Sequence, residues 1–240
     1  MDSFNGLVKT ALCAAALATL SVSAQAVGVP GQGTWETTLK ARDINGDSVV
    51  DAWYDTALNV TWLANWKANG LKDWGAATAW AAGLDVYGKT GWRLPSITDT
   101  GSPGCDFSYA GGTDCGYNVD TASSEMAHMF YVTLGNKAYC PPGDATCAGG
   151  PQPGWGLTNT ANFVNMQSEV YWSGTEFAPD PSDAWYFETG YGLQSLVVKY
   201  DTLSAVAVRP GDVAAVPEPE TVALMLVGLT GLLVVRRRPR

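Results

Sequence analysis

Residues 43–63 (DINGDSVVDAWYDTALNVTWL) set the fold class, because they combine a tight-turn signal with two β-type segments. Asn45 and Gly46 favour a two-residue hairpin turn, since both central positions of that turn require positive φ. The chain then returns through residues 49–54, and a second turn leads into residues 58–63. This stretch therefore predicts an antiparallel β-meander near the start of the domain.

Further strands are predicted on both sides of this stretch. Before it, residues 35–43 alternate between apolar and polar side chains as a half-buried strand does. Four more β-type segments come late in the chain, at residues 170–175, 184–189, 196–200 and 204–208. Short turns rich in Gly, Pro and Asp separate them, which favours antiparallel pairing between neighbours.

Two helices are predicted between the early and the late strands. Asp73 is a suitable N-cap for a helix that runs to about Leu84. Ser123 is placed to cap a second helix, which Gly135 ends. Strands first, helices in the middle and strands last is an α+β order rather than the alternation of a parallel sheet. We therefore predict an α+β domain with a mainly antiparallel sheet.

The charge of the chain excludes one class of partner. The formal net charge at pH 7 is -9. Between the two ends, lysines and arginines are scattered singly and form no basic run. Nucleic-acid binding needs clustered cations that neutralise phosphates. We therefore expect no nucleic-acid partner.

The N-terminus has the parts of a secretory signal peptide. Lys9 precedes a short apolar run at residues 10–20 (TALCAAALATL), and small residues then end in an Ala-x-Ala pattern at Ala26. The run is well short of the roughly 20 apolar residues that a membrane-spanning helix needs. We predict a signal peptide at residues 1–26 and a linker at residues 27–38.

The cysteines agree with export. Of the five in the chain, Cys13 lies in the apolar run and leaves with the signal peptide. An even set of four in an exported chain implies two disulfides, for which three pairings exist. We prefer two local pairs, because each closes a short loop with few apolar contacts, and a zinc site would need Cys-x-x-Cys spacing. The preferred pairs are Cys105 with Cys115 and Cys140 with Cys147.

Residues 43–51 also contain a candidate calcium loop. Oxygen ligands occupy its first, third, fifth and ninth positions, as in an EF-hand-like loop. These ligands are Asp43, Asn45, Asp47 and Asp51. The twelfth position, which should be acidic, is Tyr54. A solvated hairpin whose aspartates prefer turns is the interpretation that we favour, with calcium as the alternative and no other cofactor expected.

Signals for catalysis are scarce. The chain has a single histidine, His128, so a Ser–His–Asp site would have to use it. No serine lies in a Gly-x-Ser-x-Gly motif, and a lone histidine near Met126, Met129 and Phe130 is typical of an ordinary helix position. We therefore predict that the protein is not an enzyme.

Aromatic side chains offer another route to a ligand, because exposed rings stack on sugars. The candidates are Trp155, Trp185, Tyr186, Tyr191 and Tyr200. Most of them lie in predicted strands, so we expect core positions for most and sugar stacking as the alternative.

Five segments occur in the order found in a bacterial family. They are residues 54–63 (YDTALNVTWL), the predicted helix at 74–84, residues 91–95 (GWRLP), residues 171–175 (YWSGT) and residues 208–211 (VRPG). On these segments, residues 39–212 resemble the exported Lcl C-terminal-like family, a domain of unknown function. The resemblance implies a C-type-lectin-like fold, shared with relatives of the formylglycine-generating enzyme, and it implies no activity.

We interpret the WRLP motif within these segments (Trp92, Arg93, Leu94 and Pro95) as structural. Arg93 is expected to be a buried guanidinium that pairs with a carboxylate and pins loops to the core. Pro95 fixes its own φ and restricts Leu94 to extended geometry. The residues that carry activity in related folds are missing, because no cysteine follows Cys147 and the sugar-binding calcium motifs of C-type lectins are absent.

The last residues of the chain fall into three blocks. A stiff, charged spacer is followed by the uncharged run 222–235 (VALMLVGLTGLLVV) and then by basic residues. The spacer and basic residues are Pro217, Glu218 and Pro219, then Arg236, Arg237 and Arg238. Residues 213–240 thereby resemble a PEP-CTERM sorting signal, which implies processing by exosortase and a transmembrane segment at 222–235. The arginines should stay cytoplasmic by the positive-inside rule.

Together these features predict an exported, non-enzymatic protein. The expected partners are exosortase, the inner membrane transiently, and extracellular polysaccharide. At the cell surface or in a biofilm matrix we expect a structural or adhesive role. A carbohydrate- or calcium-dependent binding module is the alternative.

Overall fold

The computed structural model describes residues 28–66, 70–100 and 104–213. The predicted signal peptide at residues 1–26 lies outside these residues, and so does the predicted sorting tail from residue 214 onward. Among the residues that the structure describes, no helix is both long and apolar enough to cross a bilayer.

Short strands dominate the described chain and helices are few, which confirms the α+β class. The helices are α1 (Trp35–Thr38), α2 (Trp74–Ala82) and α3 (Glu125–Ala127), and α3 continues into a π-helical segment (His128–Thr133). The strands are β1 (Leu39–Arg42), β2 (Ala52–Asp55), β3 (Val60–Leu63), β4 (Phe107–Ser108), β5 (Cys115–Tyr117), β6 (Val170–Glu176), β7 (Asp183–Glu188), β8 (Leu193–Val198) and β9 (Val208–Pro210). They form two sheets that are mostly antiparallel.

The first sheet contains the early meander. Its order is β1-β2-β3-β9, and each neighbouring pair is antiparallel. The turn between β2 and β3 is held by Asp55, a buried carboxylate whose Oδ1 accepts the N–H groups of Ala57 (2.9 Å) and Leu58 (3.3 Å). Thr133 of the π-helical segment donates its hydroxyl to Asp55 Oδ2. Asp55 therefore connects the first sheet to the π-helical segment that follows α3.

The connection between β1 and β2 is longer than the predicted two-residue turn. The predicted turn requires positive φ at both Asn45 and Gly46. Gly46 has positive φ (81°), but the other residue in the loop with positive φ is Ser48 (69°) rather than Asn45. Pairing resumes at Ala52, which faces Arg42. The predicted turn type is wrong because carboxylates within the loop, rather than a tight-turn backbone, satisfy its N–H groups.

The predicted strand at residues 35–43 is wrong in its first half, which forms α1. The carbonyl of Thr34 accepts the N–H groups of Thr37 and Thr38 and also both of their hydroxyls. These local bonds close a helical turn, and pairing with β2 begins at Leu39. Threonine side chains that bond nearby carbonyls compete with strand formation in this way.

The second sheet has the order β4-β5-β8-β7-β6. Its β4–β5 pair is parallel, and the remaining pairs are antiparallel. The predicted strands at 170–175 and 184–189 are found as β6 and β7. The strand predicted at 196–200 starts earlier, because β8 pairs with β7 from Leu193, opposite Glu188, onward.

The strand predicted at residues 204–208 is mostly wrong. Residues 204–207 are buried and contact both sheets, whereas regular pairing begins only at Val208 in β9. Ser204 forms an isolated bridge to Tyr171 of β6, and the carbonyl of Ala207 accepts the N–H of Leu63 in β3. A segment buried on all sides has the apolar pattern of a central strand even without a continuous ladder.

The first predicted helix is confirmed as α2. Asp73 caps it, since its Oδ1 accepts the N–H of Ala76 at 2.8 Å. The side chains of Ala77 and Ala81 are fully buried. At its first residue, Trp74 donates its ring N–H to a β6 carbonyl at 2.9 Å. The helix therefore packs against the second sheet.

The second predicted helix begins one residue later than expected. Its cap is Ser124, whose Oγ accepts the N–H of Ala127 at 3.1 Å. Ser123 instead donates its hydroxyl to the carbonyl of Asp120 at 2.9 Å. The helix then widens into its π-helical segment, and Gly135 (φ 66°) follows its end as predicted.

Aromatic rings fill the core between the sheets. Trp62 and Trp66 stack with ring centroids 5.5 Å apart. Trp66 also meets Phe163 and Tyr171 edge-on. Burial of each large apolar side chain contributes about 1.5–3 kcal/mol, so these rings are a main source of stability.

Both preferred disulfides are formed, which confirms the local pairing. Cys105 is bonded to Cys115 and Cys140 to Cys147, with Cα atoms 5.3 Å apart in each pair. The first disulfide packs against the buried ring of Trp185. The four thiols are therefore not free to form a zinc site.

Candidate functional site

The WRLP motif at residues 92–95 joins the two sheets through its backbone. Arg93 exchanges two hydrogen bonds with Val208 of β9, each 2.8 Å long. The carbonyl of Pro95 accepts the N–H of Gly174 in β6, also at 2.8 Å. The three apolar side chains of the motif, Trp92, Leu94 and Pro95, are buried. This position between the sheets suits a structural role.

The guanidinium of Arg93 is paired with Glu125, the first residue of α3. Nη1 and Nη2 of Arg93 each donate to one carboxylate oxygen at 2.7 Å, and the N–H of Ser96 donates to Glu125 Oε2 at 2.7 Å. The hydrogen bonds to Glu125 raise the pKa of Arg93, although burial opposes the shift. The Arg93 side chain is 37% exposed, so it is half-buried rather than buried as expected. Bidentate pairing of this kind fixes orientation.

The acidic loop at residues 43–51 is closed by its own carboxylates. Oδ1 of Asp43 accepts the N–H groups of Gly46 (2.7 Å) and Asp47 (3.2 Å). Oδ2 of the same side chain accepts the N–H of Ser48 at 2.7 Å. Asp43 therefore organises the loop from its first position.

The other predicted calcium ligands are also engaged. Asn45 donates its side-chain N–H to Asp47 Oδ2 at 2.9 Å, which lowers the pKa of Asp47. Asp51 Oδ2 accepts the N–H of Ile44 at 2.7 Å. Across residues 28–66, 70–100 and 104–213, no group of three or more His, Cys, Asp or Glu side chains could hold a metal ion. Calcium binding at Asp43 and its neighbours stays a prediction.

His128 is the first residue of the π-helical segment. Its Nε2 is buried and has no hydrogen-bond partner in the part of the chain that the structure describes. A triad histidine bonds through both ring nitrogens. Nothing in this arrangement gives His128 a catalytic role, and the absence of enzymatic activity stays a prediction.

Six aromatic side chains form a continuous layer where β4 and β5 meet the turn between β7 and β8. They come from segments that are far apart in sequence, including the irregular residues 137–160. We call this layer the aromatic surface, and it consists of Phe107, Tyr109, Tyr117, Tyr139, Trp155 and Tyr191.

Neighbouring rings of the aromatic surface touch one another. Their centroids are between 4.9 and 6.3 Å apart. Tyr109 and Tyr117 are nearly parallel, with 23° between their planes, whereas Tyr139 meets Trp155 edge-on. Contacts of this geometry contribute about 0.5–1.5 kcal/mol each beyond burial, so the layer is held as a unit.

The aromatic surface is also open to solvent. Phe107 is 49% exposed, and Tyr109 and Tyr191 are each 42% exposed. The other members are half-buried. Contiguous exposed aromatic area of this kind marks an interaction site more often than isolated exposed rings do. The tyrosine hydroxyls make the layer amphipathic.

One carboxylate acts electrostatically on this layer. Glu188, the last residue of β7, has a raised pKa because it is partly buried. Burial also raises the pKa of Tyr117, and the nearby charge of Glu188 adds to that shift. The negative charge of Glu188 therefore acts on the aromatic surface at Tyr117.

The segments that carry the rings also line a cavity of about 410 Å³. Asn118, which follows Tyr117, donates its side-chain N–H to the carbonyl of Cys140 at 2.9 Å. Gln152 donates to the same carbonyl at 3.1 Å. These amides and Lys137 supply polar groups to a lining that is otherwise mostly apolar.

Two of the aromatic candidates from the sequence belong to the aromatic surface, namely Trp155 and Tyr191. Trp185 is fully buried and Tyr186 is half-buried. Tyr200 is 78% exposed but makes no ring contact with the layer in the described chain.

The remaining members were missed, although a usable signal exists. Phe107 and Tyr117 each lie two residues after a disulfide cysteine, and Tyr139 directly precedes Cys140. Disulfide loops of an exported domain lie at its surface, so aromatic residues flanking them are candidates for exposure.

Comparison with known proteins identifies the C-terminal tail. Residues 215–238 match the family model of the PEP-CTERM protein-sorting motif. The tail is thus similar to PEP-CTERM sorting signals. No curated protein and no solved structure matches the chain.

The PEP-CTERM motif coincides with the predicted sorting residues. These are Pro217, Glu218, Pro219, Arg236, Arg237 and Arg238, with the apolar run 222–235 between them, and all lie outside the described residues. The motif implies export, anchoring through the tail, processing by exosortase and then display at the cell surface. The match supports two predictions: that exosortase processes the protein, and that the protein is exported, held at the membrane by its tail and displayed at the cell surface.

Proposed function

We propose that this protein is a non-catalytic component of the cell envelope, sorted by exosortase and serving a structural or adhesive role at the surface or in the extracellular polysaccharide matrix. The proposal rests on the PEP-CTERM motif at residues 215–238. The motif directs the protein to the cell envelope, and in this proposal the domain at residues 39–212 performs the structural or adhesive role there.

The construction of the domain supports an extracellular role. Two disulfides close its loops, and its net charge is negative. Structural disulfides persist in oxidising compartments outside the cytosol. We assign the domain to the Lcl C-terminal-like type with a C-type-lectin-like fold, on the order of its five sequence segments.

A non-catalytic role is supported by the surroundings of His128. It is the sole histidine of the chain, and its Nε2 has no partner among the described residues. The WRLP motif, the other group of notable residues, is occupied in holding the two sheets and α3 together. The side chain of Arg93 is thus engaged in structure.

Intact-mass measurement of the mature protein from an exosortase-positive host tests the sorting proposal. We expect a mass that lacks the tail, including Arg236 and Arg238. The double variant Pro217→Ala/Pro219→Ala should retain the full tail. The matched double variant Pro179→Ala/Pro181→Ala, in a surface turn of the domain, should be processed normally. A mature wild-type protein that keeps its arginines would refute the proposal.

A second candidate function is a carbohydrate-binding module, and the aromatic surface favours it. Exposed aromatic rings with hydroxyl groups suit sugars, which have apolar C–H faces and polar edges. A calcium-dependent module is the other form of this candidate, and it depends on the loop at residues 43–51.

A further inference from the structure

We propose that the aromatic surface binds a neutral polysaccharide chain without calcium. This deepens the adhesive role proposed above and rests on it, because it names the partner that the domain would hold. The site is formed by Phe107, Tyr109, Tyr117, Tyr139, Trp155 and Tyr191.

The chemistry of the surface suits sugar rings. The flat face of each aromatic ring can pack against the C–H face of a sugar, while hydroxyls at the edges exchange hydrogen bonds. Four of the six members are tyrosines, which supply both groups. Rings and hydrogen-bonding groups therefore occur together, as a sugar requires.

The shape of the surface suits a polymer rather than a small molecule. Small ligands bind in concave pockets that cover most of their surface. Here Phe107, Tyr109 and Tyr191 are open to solvent, and the six rings follow one another in a continuous series. A chain can contact several rings of such a series at once, and weak contacts then add together.

The negative charge of the protein favours a neutral polysaccharide over an anionic one. The net charge is -9, and the negative charge of Glu188 acts on Tyr117. Lys137 is the sole cation in the lining of the neighbouring cavity within the described residues. An anionic polysaccharide would be repelled by this surface, whereas a neutral one would not.

The exposed area is too small for a stable interface between two proteins. A whole aromatic side chain carries about 150–250 Å², and Phe107, Tyr109 and Tyr191 are each less than half exposed. The layer thus offers a few hundred Å² by this estimate, compared with about 800 Å² per partner in a standard interface. A second copy of the chain is therefore the weaker occupant.

Affinity electrophoresis of the full chain in mild detergent tests the proposal. The native gels contain hydroxyethylcellulose, dextran or galactomannan as neutral polysaccharides, and alginate as the anionic comparison. We expect retardation by at least one neutral polymer, none by alginate, and no change when EDTA is added.

Single substitutions locate the site. Tyr109→Ala and Tyr191→Ala should each weaken retardation by about tenfold, as expected for loss of a central aromatic contact. Tyr109→Phe keeps the ring and should retain most of the binding. Tyr200→Ala is the matched control, because Tyr200 is more exposed yet lies outside the layer. Thermal unfolding of each variant verifies that it is folded.

Several outcomes would overturn the proposal. They are the absence of retardation in all three neutral polymers, retardation by alginate alone, and equal effects of Tyr109→Ala and Tyr200→Ala. Sedimentation that shows self-association lost in Tyr109→Ala, with retardation unchanged, would assign the surface to a second copy. The mass of the mature protein is measured separately, so failure of this proposal is distinguishable from failure of the sorting proposal.

Discussion

At the scale of single residues, the pair of Arg93 and Glu125 does the most to fix the arrangement of the domain. Arg93 belongs to a backbone bridge between the sheets, and Glu125 begins α3. Their two hydrogen bonds therefore hold three elements in one orientation. The N–H of Ser96 on the same carboxylate secures the loop that follows.

Replacing Glu125 with Gln should destabilise the protein measurably. The change removes the negative charge but keeps the size, and we expect a loss of about 1–2 kcal/mol in the free energy of unfolding, moderated by the partial exposure of Arg93. Urea unfolding at neutral pH measures it. Glu176→Gln is the matched control, because Glu176 pairs with Lys199 at an exposed site and should change stability by less than about 1 kcal/mol. Equal losses in both variants would contradict this ranking.

The sequence predicted a carboxylate partner for Arg93 but could not name it. Glu125 lies 32 positions further along the chain. Local patterns contain no information about which of the many acidic residues meets a given arginine. That pairing depends on the packing of α3 against the loop, which is a tertiary feature.

At the scale of elements, capping residues and turn sequences predicted the helices and strands whose bounds depend on nearby residues. Helix α2 was predicted because its cap, Asp73, and its apolar face lie within a few residues of each other. The strands β6 and β7 have clear turns between them. Predictions failed where bonds specific to this fold intervened. Hydrogen bonds to the carbonyl of Thr34 form α1 where a strand was predicted. Residues 204–207, also predicted as a strand, are instead an irregular segment buried between the sheets.

The two disulfides should differ in their contribution to stability. Both close short loops, with sequence separations of 10 and 7, so chain entropy alone suggests about 2–3 kcal/mol for each. The Cys105–Cys115 bond also packs against Trp185. We therefore expect the Cys105→Ser/Cys115→Ser variant to lose more stability than the Cys140→Ser/Cys147→Ser variant in urea unfolding. The reverse order would show that the contact with Trp185 adds little.

The loop at residues 43–51 should depend on Asp43 through hydrogen bonds. Asp43→Ala removes the acceptor of three backbone N–H groups, and we expect a loss of about 1–3 kcal/mol in thermal or urea unfolding. Because the bonds are internal, the loss should be the same in EDTA and in calcium chloride. A loss that appears only with calcium present would instead assign the loop a calcium-binding role.

At the scale of the whole molecule, the candidate binding site was largely hidden from the sequence. Its members come from β4, β5, the irregular segment at 137–160 and the turn after β7. Their proximity follows from sheet order and from the two disulfides, neither of which a linear pattern contains. The sorting tail could be predicted because its function is encoded in contiguous residues.

β9, the last strand among the described residues, is bonded along both edges. β9 pairs with β3 on one side, and on the other Val208 exchanges two hydrogen bonds with Arg93. Just beyond β9, Arg42 donates two hydrogen bonds to the carboxylate of Asp212, from Nε to Oδ1 (2.6 Å) and from Nη2 to Oδ2 (2.8 Å). When the tail is anchored, a mechanical pull enters the domain here, and bonds on both edges of β9 resist it together. We therefore expect this end of the domain to resist force better than a strand bonded along one edge only.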